Sequence, residues 1–276
     1  MTDAAAPAAP PRAMLAGVPI DLCTTDEAVR LIVHHATHAG APRYVVTPNA
    51  MHVVMLQEME SFRRVYDEAW LSLADGMSVV WACSVLGTPV PEKVSGSDLF
   101  PALCAAAAEA GASVFFLGGR PGAAEGAASI LRARHPALRV AGTYCPPMGF
   151  EKDEAEAART AAAVTAAAPD ILFVGLGAPK QELWMHAHRH ELGVPVSLGI
   201  GVSFEFVAGM VKRAPVWMQH SGLEWLHRLA MEPRRLWKRY AVTNPRFAAL
   251  VLREYRRGGR PPAPPAPPPG PSPRDQ

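Results

Sequence analysis

The chain has 276 residues, 49% hydrophobic and 19% charged, with a formal net charge of +2 and a mean hydropathy of +0.06. This composition supplies ample material for a buried core, and the small net charge argues against a nucleic-acid partner. The four cysteines are widely spaced without a CxxC pair, which excludes a disulfide framework and disfavours a zinc site. No apolar run approaches the roughly 20 residues of a membrane-spanning helix, and the start lacks the order of a secretory signal. We therefore expect a cytoplasmic protein whose membrane contact is peripheral.

Both ends of the sequence are of low complexity. Residues 1–13 are rich in alanine and proline, and residues 258–276 are dominated by proline. Neither segment can bury enough apolar surface to fold, so we expect disorder in both. The remainder divides by character into a core over residues 14–210 and a basic, amphipathic helical appendage over residues 211–257.

Short apolar segments alternate with helical patterns through the core. Such an alternation is typical of a parallel sheet that helices cover on both faces. We therefore predict an α/β fold with a Rossmann-like, doubly wound, mainly parallel sheet. The predicted strands, in chain order, cover residues 43–47, 71–74, 113–117, 138–143, 170–174 and 194–198, with helical patterns over residues 50–68, after Gly119 and over residues 152–168.

Polar or glycine-containing turns follow five of these strands. Ligands of doubly wound sheets sit beyond the carboxyl ends of the strands, so we expect these turns to meet at one edge. Glycine turns let backbone N–H groups approach a phosphate, although tight strand–helix connections use the same glycines without a ligand. Neither a GxGxxG nor a Walker A motif is present. The turns are Thr47-Pro48-Asn49, Asp75-Gly76, Gly118-Gly119, Gly175-Leu176-Gly177 and Gly199-Ile200-Gly201.

Several polar side chains in or near these turns are candidates for chemistry. Asp75 follows a strand, so its carboxylate either acts as a general base in the cleft or caps the next helix. A proline stiffens the loop that presents Thr47 and Asn49, although a turn stabilised by asparagine explains the same pattern. Helix capping accounts for Glu182, whereas a buried Gln181 requires another reason.

The segment from Arg213 to Arg239 combines basic residues with tryptophans. Such a helix lies in a membrane interface or packs on the domain, and its charge also suits a solvated face. The ten histidines show no metal-ligand spacing and no DxD pair stands where a metal would bridge a diphosphate, so we expect no metal and no cofactor. If a diphosphate leaves, basic side chains must neutralise it, and this segment is their natural source.

Short motifs follow one another in order from about residue 15 to residue 240. They include TPN at 47–49, DG at 75–76, GSDL at 96–99, FLGG at 116–119, PPMGF at 146–150, VGLGAPKQE at 174–182, GIG at 199–201, RAP at 213–215, LEWLHR at 223–228 and EPRRLWKRY at 232–240. In content and order these motifs closely resemble the WecG/TagA/CpsF glycosyltransferases of bacterial cell-surface polysaccharide synthesis.

The resemblance implies a metal-independent, inverting transfer from a UDP-sugar to an undecaprenyl-diphosphate-linked sugar. The donor would carry N-acetylmannosamine or a related hexose, and the enzyme would lie on the inner face of the cytoplasmic membrane. Asp75 matches the family's proposed general base. Thr47, Asn49 and Gln181 match residues around the donor sugar and the acceptor hydroxyl.

The resemblance also extends to substrate binding. Glu205 matches a position near the nucleotide, where the family often has aspartate, and the appendage is expected to bring arginines to the diphosphate. Lys93 stands where the family commonly has arginine, and a lysine lacks the planar fork that binds two oxygens. The complete set of substrate-binding candidates is Lys93, Gly118, Gly119, Gly175, Gly177, Glu205, Arg213, Arg228, Arg235 and Arg239.

Two other functions fit parts of the pattern. A non-catalytic nucleotide-sugar-binding or assembly protein on the same fold would accommodate Lys93 and the long C-terminal tail. A nicotinamide-dependent oxidoreductase is disfavoured because no glycine fingerprint opens the first βα unit. The identity of the donor and acceptor sugars, the linkage position and a homo-oligomeric state all stay open at the level of sequence.

Overall fold

The structure is a computed structural model that describes residues 7–38 and 40–258, without the side chains of His220 and Arg235. Of the two ends predicted to be disordered, residues 1–6 and 259–276 lie outside the described residues. The strands are β1 (Arg12–Leu15), β2 (Val18–Asp21), β3 (Arg43–Val46), β4 (Leu71–Ser72), β5 (Ser113–Gly118), β6 (Arg139–Tyr144), β7 (Ile171–Gly175) and β8 (Val196–Gly199).

Helices connect these strands and extend beyond the last one. They are α1 (Thr25–Thr37), α2 (Ala50–Met55), α3 (Glu60–Asp67), α4 (Met77–Val85), α5 (Gly96–Ala110), α6 (Ala123–Arg134), α7 (Glu154–Ala167), α8 (Lys180–Leu192), α9 (Ser203–Val207), α10 (Val216–His220), α11 (Glu224–Met231) and α12 (Pro233–Arg256), with a 3-10 turn at Phe150–Lys152.

Six strands form one parallel sheet in the order β4-β3-β8-β7-β5-β6. Successive side chains of a strand point to opposite faces, so Val114 and Phe116 enter one core while Phe115 and Leu117 enter the other. Helices cover both faces, which is why the central strands are apolar throughout. The predicted α/β, doubly wound parallel sheet is confirmed.

Four phenylalanines form the centre of one of these cores. Phe100 of α5 lies 4.9 Å from Phe173 of β7 and 5.1 Å from Phe116 of β5, measured between ring centroids, and the rings meet edge to face. Phe204 of α9 closes the group at 5.2 Å from Phe100. The cluster therefore fixes α5 and α9, which both reach the carboxyl edge of the sheet, against β5 and β7.

An antiparallel hairpin precedes the sheet and begins inside the segment predicted to be disordered. Strand β1 starts at Arg12, whose guanidinium binds both oxygens of Asp21 at 2.7 and 2.8 Å. Asp21 also accepts the backbone N–H of Ser72 at 2.7 Å, which ties the hairpin to β4. The prediction of disorder over residues 1–13 was wrong for residues 12 and 13 because this tertiary contact orders them.

The helical pattern over residues 50–68 is interrupted in the structure. Helix α2 ends at Met55 and α3 begins at Glu60. At the interruption the carbonyl of Leu56 accepts a hydrogen bond from the Arg63 guanidinium at 2.6 Å. A side-chain donor thus satisfies a backbone carbonyl at the break, so interrupting the helix there costs little free energy.

The C-terminal half of α12 packs on the core. Phe247 is 7% exposed, and Leu250 and Val251 pack against the same apolar cluster. Glu254 accepts the backbone N–H of Ala16 at 2.6 Å, so the end of the helix is held to the hairpin. The first half of α12 extends over the carboxyl edge of the sheet. Among the described helices none is long and apolar enough to cross a membrane.

One carboxyl group is sealed inside the fold at the first turn of α8. Glu182 has no exposed surface, and its Oε1 accepts a hydrogen bond from Gln181 at 2.8 Å. Its Oε2 is buried without a hydrogen-bond partner among the described residues. Burial raises the pKa of Glu182 to about 7, so the carboxyl holds its proton in the fold up to near-neutral pH.

Phe173→Ala should lower the free energy of unfolding by about 3–5 kcal/mol, because it removes a ring from a close-packed aromatic cluster. Urea denaturation followed by circular dichroism measures this. Leu252→Ala, at a side chain that is 47% exposed on α12, should cost less than about 1 kcal/mol. Equal losses in the two variants would contradict the assignment of the phenylalanine cluster as a main core.

Glu182→Gln should weaken the dependence of stability on pH. Below about pH 4.5 both the folded and the unfolded wild-type chains hold this proton. Between about pH 4.5 and the raised pKa of about 7, the unfolded chain releases it first, so the free energy of unfolding falls as pH rises. The variant has no proton to lose, and its advantage should reach roughly 3 kcal/mol at about pH 8.

Urea titrations at about pH 5 and about pH 8 measure the effect. The exposed Glu154 at the start of α7 provides the matched control, because Glu154→Gln should leave the pH dependence as it is in the wild type. A fall in stability between the two pH values that is as large in Glu182→Gln as in the wild type would show that this carboxyl ionises normally in the fold.

Candidate active site

A cavity of about 500 Å³ lies at the carboxyl edge of the sheet. Its walls include Thr47 after β3, Asp75 after β4, Gly119 after β5, Gly175 at the end of β7 and Gly201 after β8. The prediction that these turns share one edge is confirmed. The parallel direction of all six strands produces this convergence, because every strand ends on the same side.

The glycines at this edge allow close packing of the backbone. A Cβ on Gly118, which has a φ of +95°, would lie 2.9 Å from the carbonyl of Gly175, and one on Gly175 would lie 2.9 Å from the ring of Phe204. Gly119 donates its N–H to the Gly175 carbonyl at 2.9 Å. Gly119, Gly175 and Gly177 line the cavity, whereas Gly118 lies behind it as a spacer between strands.

Asp75 lies in the cavity wall and does not cap a helix. The N-cap of α4 is Gly76, without a side-chain cap bond, and the Asp75 N–H donates to the Pro48 carbonyl at 2.9 Å. Burial raises the pKa of Asp75 to about 6, Glu224 raises it further, and Lys93 and Arg228 oppose the rise. A carboxylate with a pKa close to neutrality is suited to accept a proton from a hydroxyl group.

The loop after β3 contributes three cavity residues. Asn49 caps α2, with its Oδ1 accepting the N–H groups of Met51 at 3.0 Å and His52 at 3.3 Å, and Thr47 is 6% exposed. His52 lines the cavity and was not singled out in the sequence. Burial lowers the pKa of His52 to about 3, and its Nδ1 bonds the Tyr66 hydroxyl at 2.8 Å. A neutral, occupied imidazole leaves Asp75 as the better base.

The Gln181 side chain joins the turns that follow β7 and β8. Its Oε1 accepts the N–H groups of Gly177 at 3.2 Å and Gly201 at 3.1 Å, and its Nε2 donates to Glu182. A Cβ on Gly199 would lie 2.6 Å from this Nε2. The buried position of Gln181, which capping did not explain, thus follows from its role in holding two cavity loops.

Glu205 offers an acceptor to the cavity. The side chain is 5% exposed, and its Oε1 accepts the backbone N–H of Arg120 at 3.0 Å. Its Oε2 is buried without a hydrogen-bond partner in the part of the chain that the structure describes. Glu205 thus brings a buried carboxylate with one unsatisfied oxygen to the wall of the cavity.

The cationic candidates divide into two groups. Arg228 and Arg239 line the cavity, whereas Lys93 and Arg213 form ion pairs with Asp98 and Glu224 and do not line it. The side chain of Arg235 lies outside the described residues. Two cations that the sequence analysis did not select, Arg120 and Lys212, also line the cavity. No group of three His, Cys, Asp or Glu side chains over residues 7–38 and 40–258 is placed to hold a metal ion.

A second cavity of about 350 Å³ adjoins the first. The two share Asn49, Asp75, Arg228 and Arg239 among their lining residues. The second is the more aromatic, with walls that include Trp81, Trp225, Tyr240 and Phe247. Asp75 therefore stands between a polar cavity at the sheet edge and an aromatic cavity under the C-terminal helices.

Comparison with known proteins gives a consistent assignment. The model of the glycosyl transferase WecG/TagA/CpsF family matches residues 13–261. A Bacillus spizizenii protein named N-acetylglucosaminyldiphosphoundecaprenol N-acetyl-beta-D-mannosaminyltransferase is 33% identical over 218 residues, covering 79% of this chain and 82% of its own. Proteins of the same name are 35% identical in Bacillus subtilis, covering 66% of this chain and 68% of that one, and 30% identical in Staphylococcus aureus, covering 70% and 74%.

The family match spans all six strands of the parallel sheet and all of the hairpin except Arg12. It also includes both cavities and α12. The motifs that line the first cavity are also those on which the resemblance in the sequence rested. The chain therefore belongs to the glycosyl transferase WecG/TagA/CpsF family and is a glycosyltransferase.

Proposed function

We propose that the enzyme transfers an N-acetylmannosamine-type sugar or related hexose from a UDP-sugar to an undecaprenyl-diphosphate-linked acceptor, with inversion and without a metal ion. The observation that carries this proposal is the position of Asp75 between two adjoining cavities of different chemistry. The names of the relatives, which specify such an acceptor and an N-acetylmannosaminyl group, support the choice of substrates.

The polar cavity suits the donor. The N-termini of α5 and α8 line it, and the positive end of a helix dipole favours phosphate. The Glu205 carboxylate in the cavity wall would accept a hydrogen bond from a ribose hydroxyl or from the uracil N–H after a small rotation of its side chain. Arg228 and Arg239 lie where they can neutralise the diphosphate that departs with UDP.

The aromatic cavity suits the lipid-linked acceptor. Trp81, Trp225 and Phe247 provide apolar surface for the start of a polyprenyl chain, while Arg228 and Arg239 provide charge for its diphosphate. The acceptor sugar would then reach Asp75 from the second cavity. An inverting displacement further requires its hydroxyl to attack the anomeric carbon on the face opposite the departing diphosphate.

In the proposed reaction Asp75 accepts the proton of the acceptor hydroxyl, whose oxygen attacks the anomeric carbon. The bond from that carbon to the diphosphate oxygen breaks, and UDP leaves with the electron pair. Thr47 and Asn49 orient the sugar and the hydroxyl, and Gln181 holds the loops on either side of them. The Asn49 carbonyl oxygen is engaged in capping α2, so its side-chain nitrogen is the group that would donate to a sugar hydroxyl.

Asp75→Asn should reduce transfer by about 10²–10⁴-fold and leave UDP binding nearly unchanged, because the amide keeps the shape but cannot accept the proton. UDP release from candidate UDP-sugars, in the presence of a lipid-diphosphate acceptor analogue, measures turnover, and calorimetry measures binding. Asp67→Asn on α3, an exposed carboxylate, is the matched control and should be fully active.

Full activity of Asp75→Asn would refute the assignment of the base. A wild-type protein that binds UDP-sugars without releasing UDP would instead support the non-catalytic alternative. The same screen across donors identifies the sugar.

We further propose that the protein lies on the inner face of the cytoplasmic membrane through the region from α10 to the first half of α12. Trp217 and Trp237 are 63% and 53% exposed, and Met231 is also exposed. Arg234 and Lys238 accompany them on exposed positions of α12. Exposed tryptophans beside cations are typical of segments that bind anionic lipid surfaces.

The double variant Trp217→Ser/Trp237→Ser should sediment with anionic liposomes at least about tenfold more weakly than the wild type, because each indole contributes apolar area to the interface. Tyr255→Ser, at an exposed aromatic residue near the far end of α12, is the control and should bind as the wild type does. Equal binding of the double variant and the wild type would refute this surface. Truncation at residue 210 is a poorer test, since it removes Phe247 from the core.

A further inference from the structure

Four charged side chains form a closed ring beside Asp75. Lys93 Nζ lies 3.3 Å from Asp98 Oδ2 and 3.6 Å from Glu224 Oε2. Arg213 lies 2.6 Å from Asp98 Oδ1 through NH1 and 3.5 Å from Glu224 Oε1 through Nε. Each cation thus bridges both carboxylates, and the ring is neutral as a whole. We call these four residues the ionic ring.

The ionic ring connects the sheet core to the C-terminal helices. Lys93 precedes α5 and Asp98 lies in its first turn, whereas Arg213 follows α9 and Glu224 is the first residue of α11. The side chains are largely enclosed, from 12% exposed for Lys93 to 31% for Asp98. Because enclosed ion pairs are less screened by water than exposed ones, the ring can hold α11 against the core.

A close packing contact next to the ionic ring also holds α11 against the core. The loop before α11 lies on the Trp81 ring of α4, so closely that a Cβ on Gly222 would lie 2.4 Å from it. Gly222 has a φ of +71°, which a glycine adopts without strain. The start of α11 is therefore held to the core both by charge and by packing.

Seating α11 has a direct effect on the site. Arg228 stands four residues after Glu224 on the same helix, and residues at this spacing share a face. Both residues line both cavities, as Asp75 does. Fixing Glu224 to the core therefore fixes Arg228 opposite Asp75 and brings the Glu224 carboxylate near that base.

We propose that the ionic ring of Lys93, Asp98, Arg213 and Glu224 is a positioning device that holds α11 on the core and thereby places Arg228 and the Glu224 charge beside Asp75. On this view Arg213, which the sequence placed among substrate-binding candidates and which lines neither cavity, acts through α11, and Lys93 does so in addition to lining the second cavity. The proposal rests on the proposed function in taking Asp75 as the base.

The charged groups around Asp75 determine how each variant should change the pH dependence of the reaction. Glu224 and Arg228 face it from α11, Lys93 and Asp98 from the start of α5, and Arg239 from α12. His52 of α2 is neutral at working pH, and the Tyr66 hydroxyl of α3 is protonated. Glu224 raises the pKa of Asp75 and Lys93 lowers it, so removing one or the other has opposite effects.

The test measures kcat against pH at saturating UDP-sugar, with a lipid-diphosphate acceptor analogue. In the wild type kcat should fall toward low pH as Asp75 takes up a proton, and we call this part of the profile the acidic limb. Glu224→Gln should move this limb to lower pH, and Lys93→Met should move it to higher pH. The double variant should return the limb toward its wild-type position, since the two effects oppose one another.

Hydrogen exchange of the amides in α11 reports seating without relying on catalysis. Exchange there should be about tenfold faster in Glu224→Gln than in the wild type, because a local opening costs less once the ring is broken. The exposed pair of Arg246 and Glu58, 2.6 Å apart, supplies the matched controls. Glu58→Gln and Arg246→Met should change neither the acidic limb nor exchange in α11.

The outcomes distinguish a failure of this proposal from a failure of the proposed function. If Asp75→Asn is inactive but exchange in α11 is unchanged in Glu224→Gln, the ionic ring has no positioning role, whatever the position of the acidic limb. If Asp75→Asn is fully active, the proposed function fails, and the effect on Asp75 fails with it. Exchange in α11 then still decides whether the ring seats the helix.

Discussion

The side-chain amide of Gln181 bridges the loops after β7 and β8, which form two walls of the first cavity. Its carbonyl oxygen accepts two backbone N–H groups, so its nitrogen must point toward Glu182. Glu182 is sealed from water in order to accept that hydrogen bond, and burial keeps its proton in place. The geometry of the cavity thus depends on a polar contact made inside the protein, where every unsatisfied partner would cost free energy.

The C-terminal helices combine two tasks that separate elements perform in many proteins. The second half of α12 packs Phe247 into the core, while the first half carries Arg239 to both cavities. Helix α11 is held at its first residue and presents Arg228 one turn later. Rigid attachment at one end thus sets the position of a cation at the other, and the precision of a charge site depends on such support.

The sheet could be predicted from sequence because its strands are apolar throughout and end at turns with distinct chemistry. The convergence of Thr47, Asp75 and Gly175 then follows from parallel strand direction alone. The hairpin was missed because its strands have four residues each and are ordered by contacts with β4. The division between α2 and α3 was missed because the helical period continues across it.

The charged contacts could not be predicted from the sequence pattern, for a different reason. Arg213 and Asp98 are separated by 115 positions, and only the folded chain shows that they neutralise each other. From the sequence, Lys93 and Arg213 had the same appearance as Arg228 and Arg239, which do line the first cavity. Glycosyl transfer itself was indicated by ordered motifs, whereas the residues alone indicated a phosphate-binding α/β domain.

The contact between Gln181 and Gly199 places a limit on how this site can diversify. A methyl group at position 199 would occupy the space of the Gln181 amide nitrogen, 2.6 Å away. Gly199 ends β8 and Gln181 lies in the first turn of α8, so a larger residue at 199 requires a smaller one at 181. Among descendants of this fold the two residues should be kept together, and new sugar specificities would arise by exchanging residues around this fixed pair.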